Sequence, residues 1–99
     1  MISAVQLLNV ERGQLSRVAE ALVAIEGVSD VYSVAGDWDL VALLRVKQHA
    51  DLNDLVTGEI GAIEGITRTN TLIAFRAYSS HDPGLAWDIG GDTVLKGEQ

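Results

Sequence analysis

The sequence predicts an α+β domain in the order β-α-β-β-α-β, with four antiparallel strands forming one sheet and both helices on one face. Three observations predict it. Strand-like apolar runs alternate with two stretches of helical periodicity, glycines punctuate the junctions, and the second half of the chain echoes the first. The 99 residues make one modest domain. Hydrophobic residues make up 47% and charged residues 21%, the balance of a packed domain and not of a disordered chain.

Ile2 to Val10 read as the first strand, an apolar run interrupted by Ser3, Gln6 and Asn9. Glu11, Arg12 and Gly13 break it. Leu15, Val18, Ala19, Leu22 and Ile25 then fall on one stripe of a helix, with Arg17 and Glu20 on its other side. Gly27 stands where a helix stops. Val28 to Val34 read as the second strand, with Val28, Tyr32 and Val34 expected on one face and Val31 on the other. Ala35, Gly36 and Asp37 make a tight connection to a third strand, Asp39 to Val46. Its run Leu40-Val41-Ala42-Leu43-Leu44 lacks polar alternation, which predicts cover on both faces.

Asp51 is the expected cap of a second helix, with Asp54 in its first turn and a stripe of Leu52, Leu55, Val56, Ile60 and Ile63. Gly58 and Gly61 weaken that helix by up to about 1 kcal/mol each relative to Ala, and Gly65 ends it. Ile66 to Tyr78 read as the fourth strand. Thr67, Thr69, Thr71, Ile73 and Phe75 are expected on one face, and Ile66, Arg68, Asn70, Leu72 and Ala74 on the other. The domain therefore spans 1–78. Residues 79–99 form a tail in which Asp82-Pro83 signals a short helical turn, anchored by Leu85, Trp87 and Ile89 and fraying from Asp92.

The halves repeat at a shift of 38 positions. Ala24-Ile25-Glu26-Gly27-Val28 returns as Ala62-Ile63-Glu64-Gly65-Ile66, and the same shift pairs Ala4 with Ala42, Val18 with Val56 and Leu22 with Ile60. Strand matches strand and helix matches helix, so each half is one β-α-β unit. Two interleaved units give the ferredoxin-like arrangement. That fold leaves one sheet face bare, and a face bearing Ile73, Phe75, Tyr32 and similar residues is an apolar patch of several hundred Å2, more than a monomer usually shows. The expectation is a dimer packed sheet to sheet. Cover by the tail is the alternative, and its three apolar anchors are too few.

Composition excludes several classes of function. There is no cysteine, hence neither disulfide nor thiolate metal site. No apolar run reaches the roughly 18 residues of a membrane helix and no signal peptide opens the chain, so the expected location is cytoplasmic. A formal charge of −7 argues against direct nucleic-acid binding, which needs clustered Lys and Arg. His49 and His81 have no partners at ligand spacing, so no metal is expected. No nucleophile elbow or phosphate-cradling glycine motif is present, and no cofactor is predicted.

Gly36-Asp37-Trp38-Asp39 is the informative stretch. As composition alone it is a β-turn. Trp38, however, is a large apolar group that such a turn does not need, and Asp39 opens a highly apolar strand where an unpaired carboxylate is costly. A carboxylate beside free backbone N–H groups suits a zwitterion: Asp39 for an ammonium, the N–H groups at Gly36 and nearby for a carboxylate. Thr67, Thr69 and Thr71 are good strand formers in their own right, and at a subunit contact their hydroxyls would bind a small polar ligand.

Together, Glu26-Gly27-Val28, the turn Gly36-Asp37-Trp38-Asp39-Leu40, the amphipathic helix and Glu64-Gly65-Ile66-Thr67-Arg68-Thr69-Asn70-Thr71 resemble the ligand-binding domain of the Lrp/AsnC transcription regulators, also called the regulation-of-amino-acid-metabolism domain. The resemblance covers about residues 2–78. It implies a dimeric α/β-barrel type assembly, dimers joined into an octamer or decamer, and an amino acid or related small metabolite bound where dimers meet. Carried onto this sequence, the implied ligand-binding residues are Gly36, Asp37, Trp38 and Asp39, with Thr69, Thr71, Leu72 and Ile73 as weaker candidates. His49 falls where the next loop can approach the ligand. Regulators of this family also carry an N-terminal helix-turn-helix. Here Met1 leads straight into the first strand, so a stand-alone effector module is expected, acting by assembly or by joining a DNA-binding relative. The alternatives are a small cofactor-free monooxygenase or isomerase of the same dimeric type, for which no acid–base pair can be named, and a ligand-free oligomerisation module.

Overall fold

A computed structural model of the chain describes residues 1–78 and 80. Strand β1 (Ile2–Val10) leads through helix α1 (Leu15–Val23) to β2 (Val28–Ser33) and β3 (Leu40–Val46). Helix α2 (His49–Asn53) runs directly into a π-helical segment, Asp54–Ile60, before β4 (Ile66–Ile73). The sheet order is β2-β3-β1-β4, antiparallel throughout, which is the ferredoxin-like order read from the sequence. The tail expectations lie outside the described residues.

Register divides the sheet into two unlike faces. Ala4 stands opposite Leu44 and Ile73, Gln6 opposite Ala42 and Thr71, and Leu8 opposite Leu40 and Thr69. Cross-strand partners share a face, and this face lies under the helices. Ala4, Leu8, Leu40, Ala42 and Leu44 are buried there against Val18 and Leu22 of α1 and against Leu52, Leu55 and Ile60 of the second helical stretch. On the opposite face Val5 pairs with Leu43 and Leu72, and Leu7 with Val41 and Asn70. Among the described residues no helix covers that side, and Tyr32 and Leu72 are 52% and 50% exposed.

Two bulges shift faces that simple alternation predicts. Val28 pairs with Leu44 but Asp30 with Leu43, so Ser29 is extra and the strand flips. Val28 and Val31 therefore both meet the core, Tyr32 stands on the bare face as expected, and Ile73, expected beside it, instead shares the helix-side face with Ala4. The second bulge falls between Asn9 and Val10. Asn9 pairs with Arg68 and Val10 with Ile66, which skips Thr67 and turns Ile66 onto the core side together with Thr69 and Thr71. Strand β4 also stops at Ile73, short of Tyr78. The Ala74 N–H still donates to Ser3 O at 2.9 Å, but β1 is then nearly used up, and Phe75 and Tyr78 stand exposed.

The second helix begins one turn earlier than expected. Gln48 occupies the cap, and the Asp51 carboxylate three residues on accepts the Gln48 N–H at 3.2 Å. Asp51 thus closes a capping box and is not itself the cap. Beyond Asn53 the winding loosens, and the Gly61 N–H donates to Val56 O, five residues back, at 3.0 Å. The wider turn brings Leu55 and Ile60, five apart, onto one buried face.

The internal repeat is visible in packing. A Cβ on Gly27 would lie 3.1 Å from Leu55 Cδ2, and one on Gly65 would lie beside the Arg17 guanidinium. Both glycine and neighbour are displaced by the same 38 positions. At the Arg17 end the guanidinium donates to Glu64 O, tying α1 to the loop before β4. Gly27 also sits at φ +102, a backbone region that costs other residues about 1–3 kcal/mol. Gly27→Ala is expected to lose at least that much, with crowding against Leu55 added, as a lower urea midpoint at unchanged slope.

Candidate functional site

The turn between β2 and β3 is a braced structure. Gly36 adopts φ +114 with open space around it, a conformation that favours glycine. Asp39 then does three structural jobs. Its Oδ2 accepts the Val10 N–H at 2.9 Å, its own N–H donates to Leu8 O at 3.0 Å and to Asn9 Oδ1 at 3.2 Å, and its carbonyl accepts the Val34 N–H at 3.0 Å. Asn9 Nδ2 also donates to Asp37 O at 3.2 Å. The β1–β3 ladder ends at Leu8 opposite Leu40, so the Val10 N–H on that side has no strand partner and the Asp39 carboxylate takes it. One oxygen of the proposed ammonium receptor is therefore already engaged.

What the turn presents outward is different. Asp37 is exposed, and the N–H groups of Gly36, Asp37 and Trp38 make no hydrogen bond among the described residues. Trp38 is half-buried, and the Arg68 guanidinium lies over its ring, 4.1 Å from the centroid. Arg68 arrives through its pairing with Asn9. The exposed Asp37, the Arg68–Trp38 pair and the unpaired N–H groups thus lie at one end of the sheet.

The remaining sequence-predicted residues do not join this cluster. Thr69, Thr71 and Ile73 lie on the helix-side face, while Arg68 and Asn9 lie on the other. Leu72 shares the bare face but stands opposite Val5, four residues along β4 from Arg68. His49 starts α2 beyond the far end of β3, about 20 Å of strand away from the turn. Thr69 instead borders a groove of about 270 Å3 between the π-helical segment and β4, walled by Val56, Ile60, Ile63 and Ile66. Among the described residues no group of three His, Cys, Asp or Glu could hold a metal ion, and no helix is long and apolar enough to cross a membrane.

Sequence reading missed Asn9 and Arg68. Asn9 was visible as a polar break in an apolar strand, but its partner is set by a strand 30 residues away. Arg68 carried no local signal.

Comparison with known proteins gives concordant results. The family model described as the Lrp/AsnC ligand binding domain matches residues 3–83. The HTH-type transcriptional regulator FL11 of Pyrococcus furiosus is 35% identical over 72 residues, covering 73% of this chain and 47% of that protein. The chain thus spans about half the length of the curated relatives it matches. The crystal structure of TTHA0845 from Thermus thermophilus superposes with a TM-score of 0.76 at 44% identity, over 80% of this chain and 99% of that one. A feast or famine regulatory protein from M. tuberculosis, complexed with L-methionine, gives a TM-score of 0.69 at 30% identity, over 83% of this chain and 56% of that one.

Asp39→Ala leaves the Val10 N–H without its partner. It is expected to cost about 1–3 kcal/mol in chemical denaturation, with Asp39→Asn recovering part of the loss. Equal stability of all three proteins would show that the carboxylate does not brace the turn.

Proposed function

The chain belongs to the Lrp/AsnC ligand-binding domain family, and from that premise we propose that it is an effector-sensing assembly module that binds an amino acid or a close relative at the Gly36–Asp39 turn. One observation carries the reading: the turn is pinned to β1 by its own backbone and by Asp39, yet the exposed Asp37 side chain and the N–H groups of Gly36, Asp37 and Trp38 have no hydrogen-bond partner among the described residues. The Asp37 carboxylate suits the ligand's ammonium. The free N–H groups and Arg68 suit its carboxylate, and Trp38 offers an apolar wall for a side chain. Such preorganised groups bind without first having to be ordered.

The turn supplies one wall only, and a second copy of the chain supplies the other. The bare face of Val5, Leu7, Val41, Leu43, Tyr32 and Leu72 packs against its equal in a dimer, and dimers join into a ring of eight or ten. A ligand held between copies favours the assembled state by its differential affinity for it. The signal then passes by assembly, alone or with a DNA-binding relative. The relatives are transcription regulators, and the M. tuberculosis neighbour holds L-methionine. Both support the reading.

Calorimetry and thermal-shift screening against the twenty amino acids test it. At least one is expected to bind and raise the melting temperature. Asp37→Ala and Trp38→Ala should weaken that binding about tenfold or more while the circular dichroism stays unchanged. Silence from all twenty at millimolar concentration would defeat the proposal.

A further inference from the structure

A groove on the helix side lies open at the margin of the sheet, and the effector reading does not use it. Helix α1 packs on β2 and β3 and α2 on β3, so among the described residues β4 lies at the edge of the helical cover. The π-helical segment runs beside the start of β4 and leaves a groove of about 270 Å3, walled by Val56, Ile60, Ile63 and Ile66 with Thr69 at its rim. Ile60 is buried, but Val56, Ile63 and Ile66 are only half-buried although they pack against the core. Further along the same face Ile73 is 44% exposed. Apolar burial along this side of β4 is thus unfinished among the described residues.

Size and charge select the occupant. Pockets for small molecules span about 300–1,000 Å3, and this groove falls just below that, with room for one large apolar side chain. The chain beyond the described residues holds one tryptophan, Trp87, with Leu85 and Ile89 two positions to either side of it. Extended backbone turns all three to one side. Asp82, Asp88 and Asp92 surround them in sequence, and no carboxylate of the described residues lines the groove. A wider depression of about 610 Å3 beside the end of β3 carries Glu26, Asp51, Asp54 and Glu59 against Arg45 and Lys47, and so disfavours an acidic segment.

Reach is ample. From Ile73, where β4 ends, the groove lies four to seven residues back along the strand, about 13–23 Å. Trp87 comes fourteen residues after Ile73, enough for about 45 Å of extended chain. The segment can therefore turn and return with length to spare. Residues 84–99 also lie beyond the part of the chain that matches the family model.

We propose that residues 84–90 of this chain fold back along the helix-side margin of β4 and seat the Trp87 indole in the groove beside the π-helical segment. The docked segment lies on the opposite face from the bare side of the sheet, so it leaves that side to a second copy and does not depend on the effector reading. The chain has no cysteine, so thiol cross-linking of the full chain reads the contact cleanly. Asp88→Cys is paired with Thr69→Cys on the groove side and, in a separate protein, with Asn70→Cys, the exposed neighbour on the bare face. A short bismaleimide is expected to join the first pair within one chain several-fold faster than the second, and adding Trp87→Ala should abolish that difference. Emission from Trp87, read in the full chain with Trp38→Phe, should lie to the blue of a solvated indole and move to the red in Ile63→Asp. The cross-link needs no change in the groove walls, so it decides the matter should Ile63→Asp fold poorly. Equal rates for the two pairs would overturn the proposal. A faster reaction at the Asn70→Cys position would overturn it by placing the tail on the bare face, and cross-links formed only between chains would do so by giving the groove to the tail of a second copy. Emission of Trp87 at the wavelength of a solvated indole would contradict it independently.

Discussion

Every larger feature of this chain follows from covering a two-faced apolar sheet with one layer of helix. The strands alternate between core residues such as Ala4, Leu8, Leu40 and Leu44 and a second set on the other side, Val5, Leu7, Val41 and Leu43. Burial of apolar surface contributes about 25 cal/mol per Å2, so covering the second set, only part-buried among the described residues, would add to stability. In β3 the run Leu40 to Leu44 is fully buried at every other position and only half-buried between. The missing polar alternation in that strand is what the proposed sheet-to-sheet assembly would account for.

The same economy governs the turn. The β1–β3 ladder stops at Leu8 and Leu40, and the Asp39 side chain takes the Val10 N–H left beyond its end. Asn9 and Asp39 together hold the turn's backbone, with the exposed Asp37 and the Trp38–Arg68 pair beside it. Asp39 braces the turn through one carboxylate oxygen, and Asp37, two residues before it, is the exposed carboxylate. Local sequence cannot separate those two roles, since both aspartates flank the same tryptophan.

Much of the fold was legible because it rests on local period. The α1 stripe, the glycine stops at Gly27 and Gly65 and the 38-residue repeat all follow from spacing, and together they fix the element order. What escaped was non-local or one residue wide. Ser29 and the Asn9/Val10 step each shift a face by one position, and nothing in either segment announces it. The π-helical winding that brings Leu55 and Ile60 together also reads as an ordinary stripe with two weak glycines. At the site, the Gly36–Asp39 stretch was recognisable. The residues that complete it, Asn9 and Arg68, became visible only once β1 and β4 were set in register. Gln6 was a polar interruption whose burial only the assembled sheet reveals.

Sedimentation equilibrium of the full chain at micromolar concentration, beside a Leu7→Lys variant, tests the account at its root. Leu7 is half-buried and lies on the face without helices. The wild type is expected to sediment as a dimer or a closed multiple of dimers, and the variant as a folded, dissociated chain. A wild type that stays folded at the mass of a single chain would contradict the account, because the bare face would then need no second sheet.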